Sequence, residues 1–451
     1  MKDIADFAEP RLFLERHPDI RHVDALYVDI CGRPRGKRCP VDKLASLYAD
    51  GVQSPQSHFL LDTNGDSSDP VGRGFSDGDP DTTLYPVPGS LAAVPWASES
   101  LAQVLIGERA GEREGFPVDP RQILAGAAGH LAALGLKPVM AVELEFYLFD
   151  LEPDSEGRPR LAAAPFGGGR ATTSTNSIEE LEAIAGFLDE VESFCRLQQI
   201  PASVVTSEMA AGQFEINLHH VDQPLAAGDH AFLLRRVIQA AAKRHAMRAS
   251  FMAKPFLDAA GSGMHVHVSL VDDRGRNMFD DGTPAGSAML RHAIGGLHQA
   301  MPESQAIFAP SMNAFRRFGP GQFVPLNRFW GYNNRAVAFR VPAGPSSARR
   351  IEHRIAGADA NPYLVLAAIL AGLHHGIAAS ADPGEPRQGN VVLEDAGISF
   401  DLFTALDRLA KSELLGRYID PGYLQVYAEV KRGERARFLD HIARREYDWY
   451  L

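Results

Sequence analysis

The strongest constraint on the fold is the segment MAVELEFYLF, residues 140–149, where apolar and polar side chains alternate. Successive side chains of a β-strand point to opposite faces, so Glu143 and Glu145 share one face while Leu144 and Phe146 lie on the other. The alternation therefore predicts a strand with one face packed on a core. The Cα atoms of the two glutamates would lie about 7 Å apart. Taken alone, a solvated polar face would explain both carboxylates.

Three further segments repeat this design, and their polar faces also carry ionisable groups. They are AGQFEINLHH (211–220), GSGMHVHVSL (261–270) and RRIEHRI (349–355). The polar positions hold Gln213, Glu215, Asn217, His219, His265, His267, Ser269, Arg350, Glu352 and Arg354, and Glu208 lies just upstream of the first segment. If the four strands are neighbours in one sheet, their polar faces line a single concave wall.

The carboxylates of such a wall require positive charge. Like charges in one pocket raise the pKa of each acid, and two divalent cations would compensate for them. A set of mostly oxygen ligands with one imidazole favours Mg²⁺ or Mn²⁺ over structural zinc. Two such ions suit phosphoryl transfer, because they neutralise phosphate oxygens. The predicted ligands are Glu143, Glu145, Glu208, Glu215, His265 and Glu352.

Residues 316–355 contain eight arginines and a single acid, Glu352, although the whole chain carries a net charge of -12. Surface ion pairs do not explain this segment, since one acid cannot pair with eight arginines. The acidic total argues against a nucleic-acid or anionic-membrane surface. Guanidinium groups bind phosphates and carboxylates bidentately, so the segment predicts an anionic substrate.

Other features bear on organisation. The linker-like stretch GERAGEREGFP precedes a helix start at Asp119 and Pro120, which predicts domains at 1–116 and 117–451. Three widely spaced cysteines favour a reducing compartment over a disulfide framework. The N-terminus lacks the apolar core of a signal peptide, and the apolar run at 363–373 is too short to span a bilayer. We therefore expect a cytoplasmic protein.

Several motifs together resemble the glutamine synthetase superfamily over nearly the whole chain. They are VELEF, EMAAGQFEINL, KPFLDAAGSGMHVHVSL, NAFRRFGPGQFVP, NNRAVAFRVP and ARRIEHRIAGADANPYL. The resemblance implies an α+β fold, with an N-terminal β-grasp domain and a C-terminal α/β catalytic domain built on a curved antiparallel sheet. It also implies ATP as co-substrate, two Mg²⁺ or Mn²⁺ ions per active site, and a homo-oligomer, a dodecamer of two hexameric rings.

Residue roles follow from the same resemblance, position by position. Glu145, Glu208 and Glu215 resemble the ligands of one metal, and Glu143, His265 and Glu352 those of the other. Arg317, Arg354 and the backbone of Gly261 correspond to the groups that hold glutamate. Arg335, Arg340 and Arg350 correspond to the phosphate and transition-state arginines, and His267 and Ser269 to nucleotide contacts. The implied reaction activates the γ-carboxylate of glutamate as a phosphate, which an amine then displaces.

Two departures from the family pattern concern the amine. Members that use ammonia carry a glutamate on a flap where this chain has Phe323, and an aspartate in an N-terminal loop that falls on or near Pro55 here. An aromatic ring suits a carbon chain better than a small cation, which indicates an alkylamine. The segments GVQSPQSHFLLD and VPW, this phenylalanine and the ending EYDWYL resemble the branch of γ-glutamylpolyamine synthetases. An ordinary glutamine synthetase, in which Phe323 merely packs, is the alternative. A catalytically inactive structural or regulatory homologue is disfavoured, because all six ligands and five arginines are in place.

Overall fold

A computed structural model describes residues 4–109, 116–155, 157–162, 175–319, 324–391 and 397–451. Two sheets organise these residues. The smaller sheet is built from the N-terminal part of the chain, and the larger one from the remainder. The mixture of helices and sheets confirms the predicted α+β class.

The N-terminal sheet has six strands in the order β2-β1-β6-β4-β3, with β5 paired to β6. Strands β1 and β6 run parallel in its centre, which is the β-grasp arrangement. The edge strand β2 is exposed, and its prolines and basic side chains discourage pairing with another sheet. The elements of this part are α1 (Ala8–Arg16), β1 (His22–Val28), β2 (Pro34–Pro40), α2 (Leu44–Asp50), β3 (Val52–Pro55), β4 (Asp81–Pro86), β5 (Ala92–Ala93) and β6 (Leu101–Gly107).

The rest of the chain alternates helices with the strands of the larger sheet. Its helices are α3 (Pro120–Ala133), α4 (Ile178–Ala183), α5 (Ala185–Leu197), α6 (Pro224–Arg244), α7 (Ala288–Phe308), α8 (Pro362–Ala379), α9 (Leu402–Ala410), α10 (Pro421–Leu439) and α11 (Arg444–Tyr450). Its strands are β7 (Lys137–Asp150), β8 (Ala202–Ser207), β9 (Gln213–Leu218), β10 (Met247–Ser250), β11 (Met264–Val271), β12 (Trp330–Tyr332), β13 (Phe339–Val341) and β14 (Ile351–His353).

The larger sheet has eight strands in the order β12-β13-β14-β11-β7-β9-β8, and β10 also pairs with β7. All pairings are antiparallel except β12 with β13. The apolar positions of β7 and β11 are buried, as their alternation predicts. The sheet is the curved antiparallel sheet expected from the sequence, and its polar face is the wall described below.

Helices cover the apolar face of this sheet. Asp119 begins α3 as predicted, because its carboxylate accepts a hydrogen bond from the backbone N–H of Arg121 at 2.8 Å. Helices α7 and α8 cross so closely that a Cβ on Gly296 would lie 2.0 Å from the carbonyl oxygen of Gly372. Among the described helices, α8 alone is long and apolar enough to cross a membrane, but 72% of that stretch is buried inside the protein. It is the central core helix.

The N-terminal part is tied to the rest of the chain by polar contacts. Asn361, whose side chain caps the start of α8, donates from Nδ2 to the backbone oxygen of Asp29 at 3.0 Å. The Glu434 carboxylate on α10 accepts from the backbone N–H of Thr63 at 2.9 Å. Arg437, also on α10, pairs with Asp62. These contacts fix the turn between β1 and β2 against α8, and the loop between β3 and β4 against α10.

Candidate active site

The four strands with ionisable polar faces lie side by side, in the order β14-β11-β7-β9. Their register places His265 opposite Glu143 and Glu145 opposite Glu215. On the other side of β11, His267 pairs with Glu352. Segments that are more than 200 residues apart in sequence therefore contribute to one polar surface, as the period-two patterns predicted.

Glu143, His265 and Glu352 form the first group of side chains. Each offers a ligand atom, and these atoms all lie within 4.8 Å of one another. His265 Nδ1 is 3.3 Å from Glu143 Oε2. This is the set that the sequence assigned to one metal, and its two carboxylates and one imidazole suit a hard divalent cation.

Glu145, Glu215 and again His265 form the second group, by the same distance criterion. The His265 ring lies 3.9 Å from each of these two carboxylates, through Nε2 to Glu145 and through Nδ1 to Glu215. Glu145 is held in place by the backbone N–H of Gly263, which donates to it at 2.7 Å. The sequence placed Glu208 in this set. It lines the same cavity but is not part of this close group among the described residues, where His265 lies instead.

The acid–base properties of the wall reflect this crowding. Burial, together with the charges of Glu143, Glu145 and Glu208, raises the pKa of Glu215 to about 9. Burial and the charge of Glu145 raise the pKa of Glu208 to about 6. Without a cation, the wall therefore holds a proton at neutral pH. A divalent cation would displace that proton, so the donor set fits the predicted metal chemistry.

Histidines keep Glu143 ionised. Burial alone would raise the pKa of Glu143, but hydrogen bonds from His265 and His267 bring it well below its usual range. Arg350 donates from Nε to His267 Nδ1 at 3.0 Å. That nitrogen must therefore accept, so His267 carries its proton on Nε2 and donates it to Glu143 Oε1 at 2.8 Å. Glu143 is therefore a hydrogen-bond acceptor, and the histidine side chains of β11 fix the orientation of its carboxylate.

Glu352 is the single acid of the arginine-rich segment. It is 1% exposed, and it accepts from Arg340 Nη1 at 2.6 Å and also pairs with Arg354. Burial would raise the pKa of Glu352, but the charge of Arg354, together with the neighbouring histidines of β11 and Arg340, lowers it to about 2. The carboxylate wall and the arginines therefore meet at Glu352.

Arg317 is the most enclosed arginine of the site. It is 1% exposed, and its Nη1 donates to the backbone oxygen of Ile355 at 2.9 Å. Arg335 is exposed and lies in the connection between β12 and β13. Both line the same cavity as the carboxylates, so an anion held there could contact either guanidinium group.

The cavity in front of this wall measures about 660 Å³. Its lining contains most of the predicted site residues: Glu143, Glu145, Glu208, Glu215, Gly261, His265, Arg317, Arg335, Arg340, Glu352 and Arg354. His267, Ser269 and Arg350 are not among the lining residues, although all three lie on β11 or just before β14. Phe323 lies outside the described residues, and the next residue, Val324, lines the cavity.

Gln213 and Asp258 are two of the lining residues that were not assigned a role from the sequence. Gln213 is 1% exposed, and its Nε2 donates both to Glu145 Oε2 at 3.2 Å and to the backbone oxygen of Gly261 at 3.1 Å. It connects the carboxylate wall to the loop before β11. The alternation of polar and apolar side chains did contain a signal for this residue, because Gln213 shares the polar face of β9 with Glu215. Asp258, on that loop, also lines the cavity, and no periodicity marked it.

This geometry agrees with comparisons to known proteins. Residues 117–450 match the catalytic domain of glutamine synthetase. The fold, the carboxylate wall and this match define the class, and the chain belongs to the glutamine synthetase family.

Within that family, two relatives are similar over almost their whole length. The gamma-glutamylputrescine synthetase of Escherichia coli (strain K12) is 40% identical over 446 residues, which cover 98% of this chain and 94% of the relative. A glutamate–isopropylamine ligase of a Pseudomonas species is 31% identical over 461 residues, covering 96% and 97%. Among solved structures, GmaS without ligand superimposes with a TM-score of 0.84 and 25% identity, covering 100% of both chains.

Proposed function

We propose that this protein joins the γ-carboxylate of L-glutamate to the nitrogen of an alkylamine or polyamine, with ATP as the energy source. One observation carries the proposal: a wall of five carboxylates and one imidazole opens on a cavity of about 660 Å³ that four arginines also line. Such a cavity matches phosphoryl transfer to an anionic substrate. The family match and the names of the two relatives support the same activity.

The proposed reaction has two steps. An oxygen of the glutamate γ-carboxylate attacks the γ-phosphorus of ATP, and ADP leaves with the broken P–O bond's electrons. The amine nitrogen then attacks the γ-carbon of γ-glutamyl phosphate, inorganic phosphate leaves, and the nitrogen loses a proton. Both steps concentrate negative charge on phosphate oxygens, so the site must supply positive charge in a fixed position.

The predicted site residues divide the binding of metal, glutamate, phosphate and nucleotide among them. Glu143, His265 and Glu352, and Glu145, Glu208 and Glu215, would hold two divalent cations, Mg²⁺ or Mn²⁺, which when bound neutralise phosphate oxygens. Arg317, Arg354 and the backbone of Gly261 bind glutamate. Arg335 and Arg340 stabilise the phosphate that is transferred. His267, Ser269 and Arg350 contact the nucleotide, and a related GmaS structure that contains ADP supports a nucleotide site in this fold.

The choice of amine rests on charge. Ammonium is a small cation that needs an anionic enclosure, whereas Phe323 offers apolar surface worth about 0.8 kcal/mol per buried CH₂ of a substrate. The second expected acid of an ammonium site falls on or near Pro55. The gamma-glutamylputrescine synthetase and the glutamate–isopropylamine ligase described above both carry an organic amine in their names. These points favour an organic amine over ammonia.

An ordinary glutamine synthetase is the second candidate. Glutamine synthetases of several archaea, such as Pyrococcus abyssi at 29% identity over 431 residues, also match most of the chain. A catalytically inactive homologue is disfavoured by the retention of all predicted ligands and arginines.

The deciding experiment is an amine panel. Phosphate release from ATP is measured with glutamate and Mg²⁺ or Mn²⁺ in the presence of ammonium, isopropylamine, ethanolamine, putrescine, cadaverine, spermidine or spermine. We expect kcat/KM to be highest for an organic amine. A preference for ammonium would establish the second candidate, and absence of metal-dependent turnover with every amine would establish the inactive homologue.

Assembly and location complete the proposal. We assign residues 1–116 to the β-grasp domain and 117–451 to the catalytic domain of a cytoplasmic dodecamer of two hexameric rings. The C-terminal segment supports self-association, because Phe438, Ile442, Trp449, Tyr450 and Leu451 are all more than half exposed. Light scattering coupled to gel filtration tests the mass of the assembly, and cell fractionation tests the location.

A further inference from the structure

Residues 258–261, in the loop before β11, line the active-site cavity. Three consecutive carbonyl groups of this loop each accept a hydrogen bond from a side chain elsewhere in the chain. These three anchoring residues are buried, with at most 2% of each exposed. The pairs are Lys254 Nζ with Ala259, the Tyr147 hydroxyl group with Ala260 at 2.6 Å, and Gln213 Nε2 with Gly261 at 3.1 Å.

The anchoring residues lie on separate elements, so the loop is fixed from several parts of the fold. Tyr147 lies on β7, Gln213 begins β9, and Lys254 follows β10. The backbone of Lys254 is itself held by Asn313, which accepts from its N–H at 2.8 Å and donates to its carbonyl oxygen at 2.9 Å. The loop belongs to no strand, so these side chains determine the orientation of its peptide groups.

The anchored carbonyl groups set the direction of the neighbouring N–H groups. In a trans peptide the carbonyl oxygen and the N–H of the next residue point in opposite directions, and no described peptide bond is cis. Neither Tyr147 nor Lys254 lines the cavity, so the two carbonyl groups that they hold point away from it. The N–H groups of Ala260 and Gly261 therefore point towards the cavity. Neither has a hydrogen-bond partner within the described part of the chain.

A guanidinium group lies beside these two N–H groups. A Cβ on Gly261 would lie 2.8 Å from Cγ of Arg317, so this arginine passes directly against the loop. At Gly263 the same position is 3.1 Å from Arg317 Nη2. Arg317 lines the cavity, and its Nη1 is fixed on the backbone oxygen of Ile355. Adjacent backbone N–H groups next to a fixed guanidinium group form a binding site for a carboxylate.

Glutamate carries two carboxylates, and the proposed reaction consumes the γ-carboxylate at the metal ligands of the wall. The α-carboxylate is therefore the group that remains for a fixed binding site at the loop. We propose that the three anchoring residues are positioning residues for glutamate: they direct the N–H groups of Ala260 and Gly261 at its α-carboxylate, beside Arg317. This inference rests on the proposed glutamate ligation. A substrate that lacks the α-carboxylate leaves these N–H groups unpaired, which disfavours its binding.

The first test is Tyr147→Phe, which removes only the hydroxyl oxygen that holds Ala260. With this carbonyl released, the peptide group can turn and the N–H of Gly261 loses its fixed direction. We expect the glutamate KM to rise about fivefold to tenfold, while kcat and the KM for ATP and for the amine stay within about twofold. Lys254→Met releases Ala259 in the same way and should also raise the glutamate KM alone.

Tyr427→Phe is the matched control. Tyr427 is 2% exposed, and its hydroxyl group donates to the backbone oxygen of Ala306 at 3.0 Å, but it does not line the cavity. Each tyrosine variant loses one buried hydrogen bond, so urea unfolding should show a similar decrease in stability. Only Tyr147→Phe should change the glutamate KM. An unchanged glutamate KM in Tyr147→Phe, or an equal rise in Tyr427→Phe, overturns the proposal.

Competitive inhibitors identify the group of glutamate that the loop contacts. Glutarate keeps both carboxylates and lacks the ammonium group, whereas 4-aminobutyrate keeps the ammonium group and lacks the α-carboxylate. In Tyr147→Phe we expect the inhibition constant of glutarate to rise with the glutamate KM, and that of 4-aminobutyrate to stay the same. A rise for 4-aminobutyrate as large as that for glutarate would overturn the assignment of the α-carboxylate to the loop.

The same variants separate this proposal from the proposed function. If the unmodified protein shows no turnover with any amine, the proposed function fails, and titration calorimetry with glutamate alone then measures the loop contact. Glutamate should still bind more tightly to the unmodified protein than to Tyr147→Phe. Equal affinity of the two proteins would overturn the loop contact.

Discussion

Neutralising Glu352 is the most informative perturbation of the active site. Glu352→Gln keeps the shape of the side chain and removes its charge. The carboxylate is buried between Arg340 and Arg354, whose side chains are 13% and 6% exposed. Removal of one partner from a buried ion pair costs about 3–5 kcal/mol, because the remaining charge is left without compensation.

The expected loss of unfolding free energy in Glu352→Gln can be estimated more closely from the contacts that remain. Arg340 retains a hydrogen bond from Nη2 to Asn333 Oδ1 at 2.9 Å, and the glutamine oxygen can still accept one bond. We therefore expect the free energy of unfolding to fall by about 3 kcal/mol, the lower end of the range for buried pairs. Glu192→Gln is the matched control. Its partner Arg196 and Glu192 itself are both 73% exposed, so that loss should stay within about 1 kcal/mol.

Two assays follow the substitution. Urea unfolding at one fixed protein concentration gives the change in stability, since assembly makes the midpoint depend on concentration. Phosphate release with glutamate, ATP and the preferred amine gives the change in turnover. Loss of a metal ligand should lower kcat/KM at least about 100-fold, the upper limit for residues that only orient ligands.

The same assays can refute the assignment. A Glu352→Gln protein that loses less than about 1 kcal/mol behaves like an exposed pair, and the burial between the two arginines would then be wrong. If turnover also stays near that of the unmodified protein, Glu352 holds no cation and the proposed metal sites fail.

Three further outcomes are expected. Phe323→Glu should raise the ratio of kcat/KM for ammonium to that for an alkylamine, because a carboxylate favours the small cation; an unchanged ratio would show that this position does not select the amine. Mg²⁺ binding at pH 7 should release about one proton, because Glu215 has a pKa of about 9 and must ionise to bind the cation. Titration calorimetry in two buffers of different ionisation enthalpy measures this release, which should be absent in Glu215→Gln. Equal release from both proteins would contradict this pKa. Gly296→Ala should lower the free energy of unfolding by about 1–3 kcal/mol in a urea titration, because its Cβ would meet the Gly372 carbonyl. In the control Gly126→Ala the new Cβ meets nothing within 4 Å, so this substitution should be neutral or stabilising.

Much of the active-site wall could be predicted because its signal is local. A period of two fixes which side chains share a face of one strand, so Glu143 and Glu145 could be placed together, and Glu215 and His265 could be placed on the polar faces of their own strands. Alternation does not show which strands are neighbours, so the order that joins β14, β11, β7 and β9 could not be predicted and is seen only in the folded structure. The individual roles of these residues remain predictions.

Other features depend on backbone paths that leave no periodic signal. Glu208 follows β8, a strand whose pairing with β9 shifts register between Ala202 and Val205, and its side chain lies beside rather than within the His265 group. Asp258 reaches the cavity from a loop.

The apolar helix α8 has a consequence for how the chain is made. It packs on α3, α6 and α7, and all three lie nearer the N-terminus. Synthesis proceeds from that end, so the surfaces that shield α8 have already left the ribosome when its own residues emerge. A segment with the composition of a membrane anchor can therefore be covered as soon as it appears, before insertion machinery or another nascent chain competes for it.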